Sequence, residues 1–155
     1  MPVRQAAASD LEEICSLIRE LAEYEHLTDE VAFDPVNIGR HLFGPERVAH
    51  ATIAEVDSTV DSTTKAVAGF ALWYPTFSTF LGRPGIWLED LFVRPRFRGL
   101  GLGSELLDDL RDRTEGRLEW AVLDWNEPAL GFYRRLGASP VAGWTRYRLD
   151  PSGRP

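Results

Sequence analysis

The chain has 155 residues, a formal net charge of −7, one cysteine and three histidines. A chain of this length buries roughly 70% of its unfolded surface, so one domain over residues 1–150 needs no staple, and 151–155 is read as a tail. The acidic balance argues against nucleic acid as a partner. No apolar run reaches the roughly 20 residues of a membrane span, and Met1-Pro2-Val3-Arg4 starts no signal peptide, so a cytoplasmic protein without membrane contact is expected.

Along the chain, Val3 to Ala6 is a short strand, and Ser9-Asp10-Leu11-Glu12 has the form of a capping box. Leu11, Ile14, Cys15, Leu17, Ile18 and Leu21 recur at helical spacing, which carries the helix to about Glu23. Cys15 lies in that apolar stripe and has no partner for an internal disulfide, so it reads as a buried thiol rather than a nucleophile. Asp34-Pro35 opens a second helix with a cap and an N1 proline, and Gly44-Pro45 ends it. Val48 to Val56 alternates as a strand; the polar run Asp57 to Thr64 is an exposed loop; Lys65 to Tyr74 returns, with Val67, Gly69, Ala71 and Trp73 on one face.

Pro75 to Gly85 reads as a loop, and Ile86 to Val93 as a central buried strand interrupted only by Glu89 and Asp90. After a glycine-rich turn, a helix from about Gly103 to Glu115 puts Leu106, Leu107 and Leu110 inward. Leu118 to Leu123 is a strand, Pro128 to Leu136 a helix ended by Gly137, and Trp144 to Leu149 a last strand. There is no internal repeat and no linker, so one mixed α/β domain follows. His26, His41 and His50 lack metal-ligand spacing, and no metal is expected.

The turn Arg98-Gly99-Leu100-Gly101-Leu102-Gly103-Ser104 carries the most chemical information. Alternate glycines let the backbone approach a bulky anion, and the first amides of the following helix point outward as donors. Arg94, Arg96 and Arg98 add positive charge beside it, whereas Asp10 to Asp34 holds nine acidic residues against Arg19 alone. An anionic cofactor at one end and a cationic substrate at the other would suit that layout; equally, the glycines could do no more than turn the chain, and the acids of the first helix could form a solvated face. A P-loop needs Lys-Ser or Lys-Thr where Ser104-Glu105 stands, and a dinucleotide fingerprint needs two residues where Leu102 alone separates Gly101 from Gly103.

Glu89 within an apolar strand must be hydrogen-bonded, raised in pKa, or turned to a cleft. Its neighbour Asp90 points to the opposite face unless a bulge rotates the backbone, and both could instead be satisfied by amides or arginines. Asn126 and Tyr133 are seven residues apart, two helical turns, so they share a face; Tyr133 either brings its hydroxyl to a cleft edge or is a plain core tyrosine.

Taken in order and spacing, Leu88-Glu89-Asp90-Leu91-Phe92-Val93, the glycine turn, and Trp125-Asn126-Glu127-Pro128 followed by Phe132-Tyr133 resemble the GCN5-related N-acetyltransferase superfamily, in particular its polyamine and thialysine branch. Leu21-Ala22-Glu23-Tyr24-Glu25 fits the same pattern, and the resemblance extends to Gly143-Trp144. It implies a mixed, mostly antiparallel sheet of about six or seven strands flanked by about four helices, with splayed central strands at Ile86–Val93 and Leu118–Leu123.

The resemblance further implies acetyl-CoA as cosubstrate. Leu91, Phe92 and Val93 would offer main-chain groups to its pantetheine arm, Arg98 to Ser104 would hold the diphosphate, and Asn126, Glu127, Pro128, Ala129 and Tyr133 would line the cofactor side. Tyr24, Glu25, Glu89 and Asp90 would lie along an amine channel, and a homodimer is implied. A primary amine with pKa near ~10.4 is protonated at neutral pH, so an acceptor is needed, with Glu89 the candidate base, directly or through water, and Tyr133 the candidate acid for the leaving thiolate. Ser78 and Ala142 stand where the spermidine/spermine enzymes carry acids, which favours a lysine analogue or short diamine over a long polyamine. Two other readings remain at this point: acetylation of a peptide or protein amine, and a non-catalytic acyl-CoA-binding domain.

Overall fold

Hydrophobic alternation in the middle of the chain forms the sheet, and the helical stripes before and after it form its two covers. The computed structural model describes residues 2–153 and divides into two compact units, Met1–Leu123 and Asp124–Pro155. In the first unit, β1 (Val3–Gln5), β2 (His50–Asp57), β3 (Lys65–Ser78), β4 (Arg83–Val93) and β5 (Leu118–Trp120) lie in one sheet in chain order. Every neighbouring pair is antiparallel except β4 and β5, which run parallel.

Helices α1 (Leu11–Tyr24) and α2 (Pro35–Phe43) supply Ile14, Leu17 and Leu42 to a core shared with Ile53, Phe70 and Phe92 of the sheet. Each such side chain, fully buried, stabilises the fold by roughly 1.5–3 kcal/mol. On the opposite face α3 (Leu102–Asp112) buries Leu102, Leu106, Leu107 and Leu110. There the buried Thr52 hydroxyl donates to Asp109 (3.4 Å) and accepts from Trp73 Nε1 (3.2 Å), while the Arg113 guanidinium lies 5.6 Å from the Trp73 ring. Cys15 is a buried free thiol, and burial pushes its pKa up.

Local chemistry explains where the elements begin and where they depart from the sequence reading. Asp34 caps α2 by accepting from the Val36 N–H (2.9 Å), with Pro35 next, as expected. At α1 it is Asp10, not Ser9, that organises the entry: its carboxylate accepts from the Ala7 N–H (2.7 Å) and pairs with Arg4 (2.8 Å). Val67 turns away from Gly69, Ala71 and Trp73 and packs on the α1 core, because Ala68 is an extra residue against β2 where the register shifts. The Pro75 to Gly85 loop is shorter than expected, since pairing continues out to Ser78 and Arg83. Beyond Trp73 β3 has no β2 partner, and Pro84 precedes the start of β5, so neither Pro75 nor Pro84 removes a needed ladder donor.

In the second unit, α4 (Glu127–Arg135) is capped by Asn126, whose side chain accepts from the Ala129 N–H (3.3 Å). Gly137, at φ +85°, ends it: its N–H reaches the Arg134 carbonyl and the Ala138 N–H reaches the Tyr133 carbonyl. The expected last strand, Trp144 to Leu149, does not form, and among the described residues the sheet has five strands rather than six or seven. Among the described residues this segment has no ladder partner, and alternation alone cannot satisfy a strand's backbone; Trp144, Tyr147 and Leu149 are left exposed. No helix among the described residues is long and apolar enough to cross a membrane.

Candidate active site

The parallel pairing of β4 with β5 is brief: Ile86 to Leu88 pair with Leu118 to Trp120, and from Glu89 onward β4 has no strand on that side among the described residues. The expected split between the central strands is therefore present. Its consequence is a run of main chain, Glu89 to Val93, held by β3 on one edge and open on the other. Gly69 lets β3 come this close, for a Cβ there would stand 2.4 Å from the Phe92 carbonyl oxygen. The Phe92 side chain is spent on the core, leaving its backbone to do any binding.

At the end of β4 the chain passes through a short turn, Pro95–Phe97, into the glycine segment. Gly99 and Gly101 adopt φ +81° and +82°, a conformation that costs a side-chain-bearing residue roughly 1–2 kcal/mol, and the space above both is open. Gly101 is the residue before α3, so the N–H groups of Leu102, Gly103 and Ser104 precede the first intrahelical bond, from Glu105 N–H to the Gly101 carbonyl (3.0 Å). Leu102 faces the core while Leu100 is exposed. Arg98 donates Nε–H to the Val93 carbonyl (2.9 Å), and its guanidinium lies over the rings of Tyr24 (4.8 Å) and Phe92 (5.6 Å). Outward amides, open glycines and an arginine fit a diphosphate group.

Arg94 does not join this cradle. Its guanidinium is ion-paired with Glu20 (2.7 Å) and Glu13 (2.9 Å) and donates to the Val67 carbonyl (2.9 Å), so its charge is used in tying α1 to the sheet. Arg96 sits over the Phe97 ring.

The carboxylates cluster where α1 ends beside β4. That helix stops with His26 in the left-handed region at φ +59°, its N–H on the Glu23 carbonyl and the Leu27 N–H on the Ala22 carbonyl, which fixes Tyr24 and Glu25 at the helix end. Tyr24 lies 6.4 Å from Phe92, ring centre to ring centre. On β4, Leu88 pairs with Trp73 and Asp90 with Leu72, so Glu89 is an extra residue, a bulge. The bulge reverses the alternation. Leu88 follows Trp73 toward α3, whereas Asp90 follows Leu72 and Phe92 toward α1.

Glu89 is exposed, with Oε2 accepting from Trp87 Nε1 (2.9 Å) and from the Tyr74 hydroxyl (3.3 Å). Burial, with the neighbouring charges of Glu89 and Glu25, pushes the Asp90 carboxyl up to about 7. Burial also raises Glu25. The structure thus brings Tyr24, Glu25, Asp90, Phe92 and Arg98 together, with Glu89 the next residue along β4. Asn126, Glu127, Pro128, Ala129 and Tyr133 belong to the second unit, where Tyr133 is half-buried with its ring 5.3 Å from Phe132. Trp87 and Tyr74, which hold Glu89, were not among the expected site residues. The signal for Trp87 is its place two residues before Glu89; Tyr74 requires the hairpin register.

A split parallel pair, a glycine turn at a helix N-terminus and acids on the bulged strand fit an acyl-CoA-dependent acyltransferase. The acetyltransferase (GNAT) family model matches residues 11–138, and the chain belongs to that family. It is an acetyl-CoA-dependent N-acetyltransferase of small amines. It is 36% identical to a thialysine N-epsilon-acetyltransferase of Bos taurus over 96% of this chain and 91% of that one. It is 39% identical to an L-ornithine N5-acetyltransferase of Arabidopsis thaliana over 54% of this chain and 38% of that one. Among solved structures, one described as a probable acetyltransferase superposes with a TM-score of 0.75 at 20% identity, covering 99% of this chain and 100% of that one.

Proposed function

We propose that the chain acetylates the terminal primary amine of a lysine analogue or a short diamine by direct transfer. The observation that carries this reading is the group of carboxylates, Glu25, Asp90 and Glu89, beside the open edge of β4. Carboxylates attract the ammonium form in which such amines exist at neutral pH, and one of them must take a proton before nitrogen can attack. Similarity to enzymes named for thialysine and for ornithine N5 supports an amine at the end of a short chain. Ser78, whose hydroxyl accepts from the Leu81 N–H (3.2 Å) in the hairpin turn, and Ala142 offer no charge for the far end of a long polyamine.

Acetyl-CoA supplies the acetyl group as an activated thioester. Leu91, Phe92 and Val93 would hold its pantetheine arm through the main chain, and Arg98 to Ser104 its diphosphate. Asn126, Glu127, Pro128 and Ala129 are assigned to the cofactor by their motif, Glu89 and Asp90 to the amine's charge and proton, Tyr24 and Glu25 to the amine channel. Tyr133 is assigned the proton donated to the leaving sulfur. The buried, proton-retaining thiol of Cys15 is unsuited to carry an acetyl group, which supports direct transfer. We further propose that residues 1–150 act as one catalytic domain, a reading supported by a family match that reaches into both units, and that it works in the cytoplasm as a homodimer, the dimer being what its resemblance implies.

The test is CoA release over an amine panel of thialysine, lysine, ornithine, short diamines, spermidine and a lysine-containing peptide. The expected order puts the small amines first; preference for the peptide overturns the reading. Tyr133→Phe is expected to slow transfer by about 10²-fold or more with little change in acetyl-CoA affinity, and unchanged turnover removes Tyr133 from the acid role.

A further inference from the structure

We propose that Asp90, rather than Glu89, receives the amine proton, and that Glu89 acts as the charged partner that draws the ammonium in and tunes Asp90. This rests on the amine-acetylation reading above. Three observations carry it. The bulge at Glu89 turns Asp90 to the α1 face, opposite Leu72 and along the strand from the buried Phe92, so its carboxyl stands in largely apolar surroundings beside the open edge of β4. Among the described residues its side chain has no hydrogen bond or ion pair, whereas Glu89 is already engaged by Trp87 and Tyr74. Finally, the charges that act on Asp90 are Glu25, from the end of α1, and Glu89, from its own strand. The flanking β3 residues, Ala71 and Trp73, carry no charge; β5 brings Glu119 into register with Trp87, and the arginine of the following turn, Arg98, is stacked over Tyr24 and Phe92.

An unpaired carboxylate between two like charges and an apolar face is the member of the cluster most ready to accept a proton, and its pKa of about 7 matches that task. The ammonium gives one proton to Asp90 and becomes the neutral amine. Nitrogen then bonds to the acetyl carbon as the carbon–sulfur bond breaks, and the Tyr133 hydroxyl gives its proton to the leaving sulfur. The proton still on nitrogen restores Tyr133 through solvent, and Asp90 releases its own to solvent, so one proton is liberated per acetyl group moved.

The experiment pairs kinetics with a direct titration. In the wild type, kcat/KM for a turned-over amine is expected to rise with pH through about 7. Asp90→Asn should lower it by about 10²–10⁴-fold and remove that rise, while leaving acetyl-CoA affinity within about twofold. Glu89→Gln should retain the rise but move it to lower pH, since one like charge is gone. If Glu89 were the base, the rise would vanish in Glu89→Gln and persist in Asp90→Asn, and that pattern overturns the proposal. Carbon-detected NMR of aspartate-labelled protein provides a readout independent of turnover. A carboxyl titrating near 7, absent in Asp90→Asn, supports the assignment, and an Asp90 signal titrating in the ordinary carboxylate range overturns it even should the amine panel fail.

Discussion

Arg94 and Arg98 are four residues apart on the same basic segment, yet the structure gives them different work, and separating their losses tests that division. Arg94 is mostly buried, 13% exposed, and holds Glu20, 34% exposed, Glu13, 44% exposed, and the Val67 carbonyl. Removing one partner of a fully buried pair costs ~3–5 kcal/mol; with both carboxylates partly hydrated the expectation for Arg94→Ala falls to about 2–3 kcal/mol. For a domain of this size that lowers the melting temperature by about 5–10 °C. Arg98 is exposed, with one hydrogen bond to the Val93 carbonyl, so Arg98→Ala should cost less than about 1 kcal/mol of stability. Its loss is expected instead in the cosubstrate: a charge-assisted bond to phosphate is worth about 1.5–3 kcal/mol, or roughly 10–100-fold in acetyl-CoA affinity. Thermal melts and calorimetric titration with acetyl-CoA measure both quantities. An Arg94→Ala variant that melts like the wild type and loses as much acetyl-CoA affinity as Arg98→Ala would overturn this division of roles.

The pKa values of Glu20 and Asp10 are held down by Arg94 and Arg4, so their stabilisation is complete above the usual carboxylate range and is lost as pH falls through their depressed folded values; melting temperature should drop steeply below about pH 4, and less so in Arg94→Ala. Asp90 has the opposite sign: raised in the fold, it opposes folding once ionised, so Asp90→Asn should be more stable than the wild type by about 2 kcal/mol at pH 8 after solvent screening, with the difference gone near pH 4, as urea melts at the two pH values would show. Thr52→Val keeps the shape of a fully buried side chain but takes the acceptor from Trp73 Nε1, while Asp109 keeps its bonds to Arg113, and should cost about 1–3 kcal/mol in urea melts.

Features set by neighbours in the chain were legible in the sequence. The Asp34-Pro35 start of α2, the leucine stripe of α3 and the glycine turn each depend on residues a few positions apart, and each stands in the structure. The position of the split beside β4 was also legible, through the resemblance. What escaped depends on residues far apart. Arg94 reads as phosphate charge because its partners Glu13 and Glu20 lie 81 and 74 residues away. The bulge at Glu89 is a mismatch between β3 and β4, visible only once their register is set, and without it Asp90 would face α3. The alternation of Trp144 to Leu149 has the look of a strand but specifies no edge to pair with.

Direct passage of an acetyl group from acetyl-CoA to a small primary amine can be followed with an isotope-labelled acetyl group. With labelled acetyl-CoA and a short amine such as thialysine, mass spectrometry should find the label on the terminal nitrogen in a one-to-one ratio with free CoA thiol, and none on the protein. Release of thiol with the label appearing as free acetate, or label retained on the chain, would contradict it.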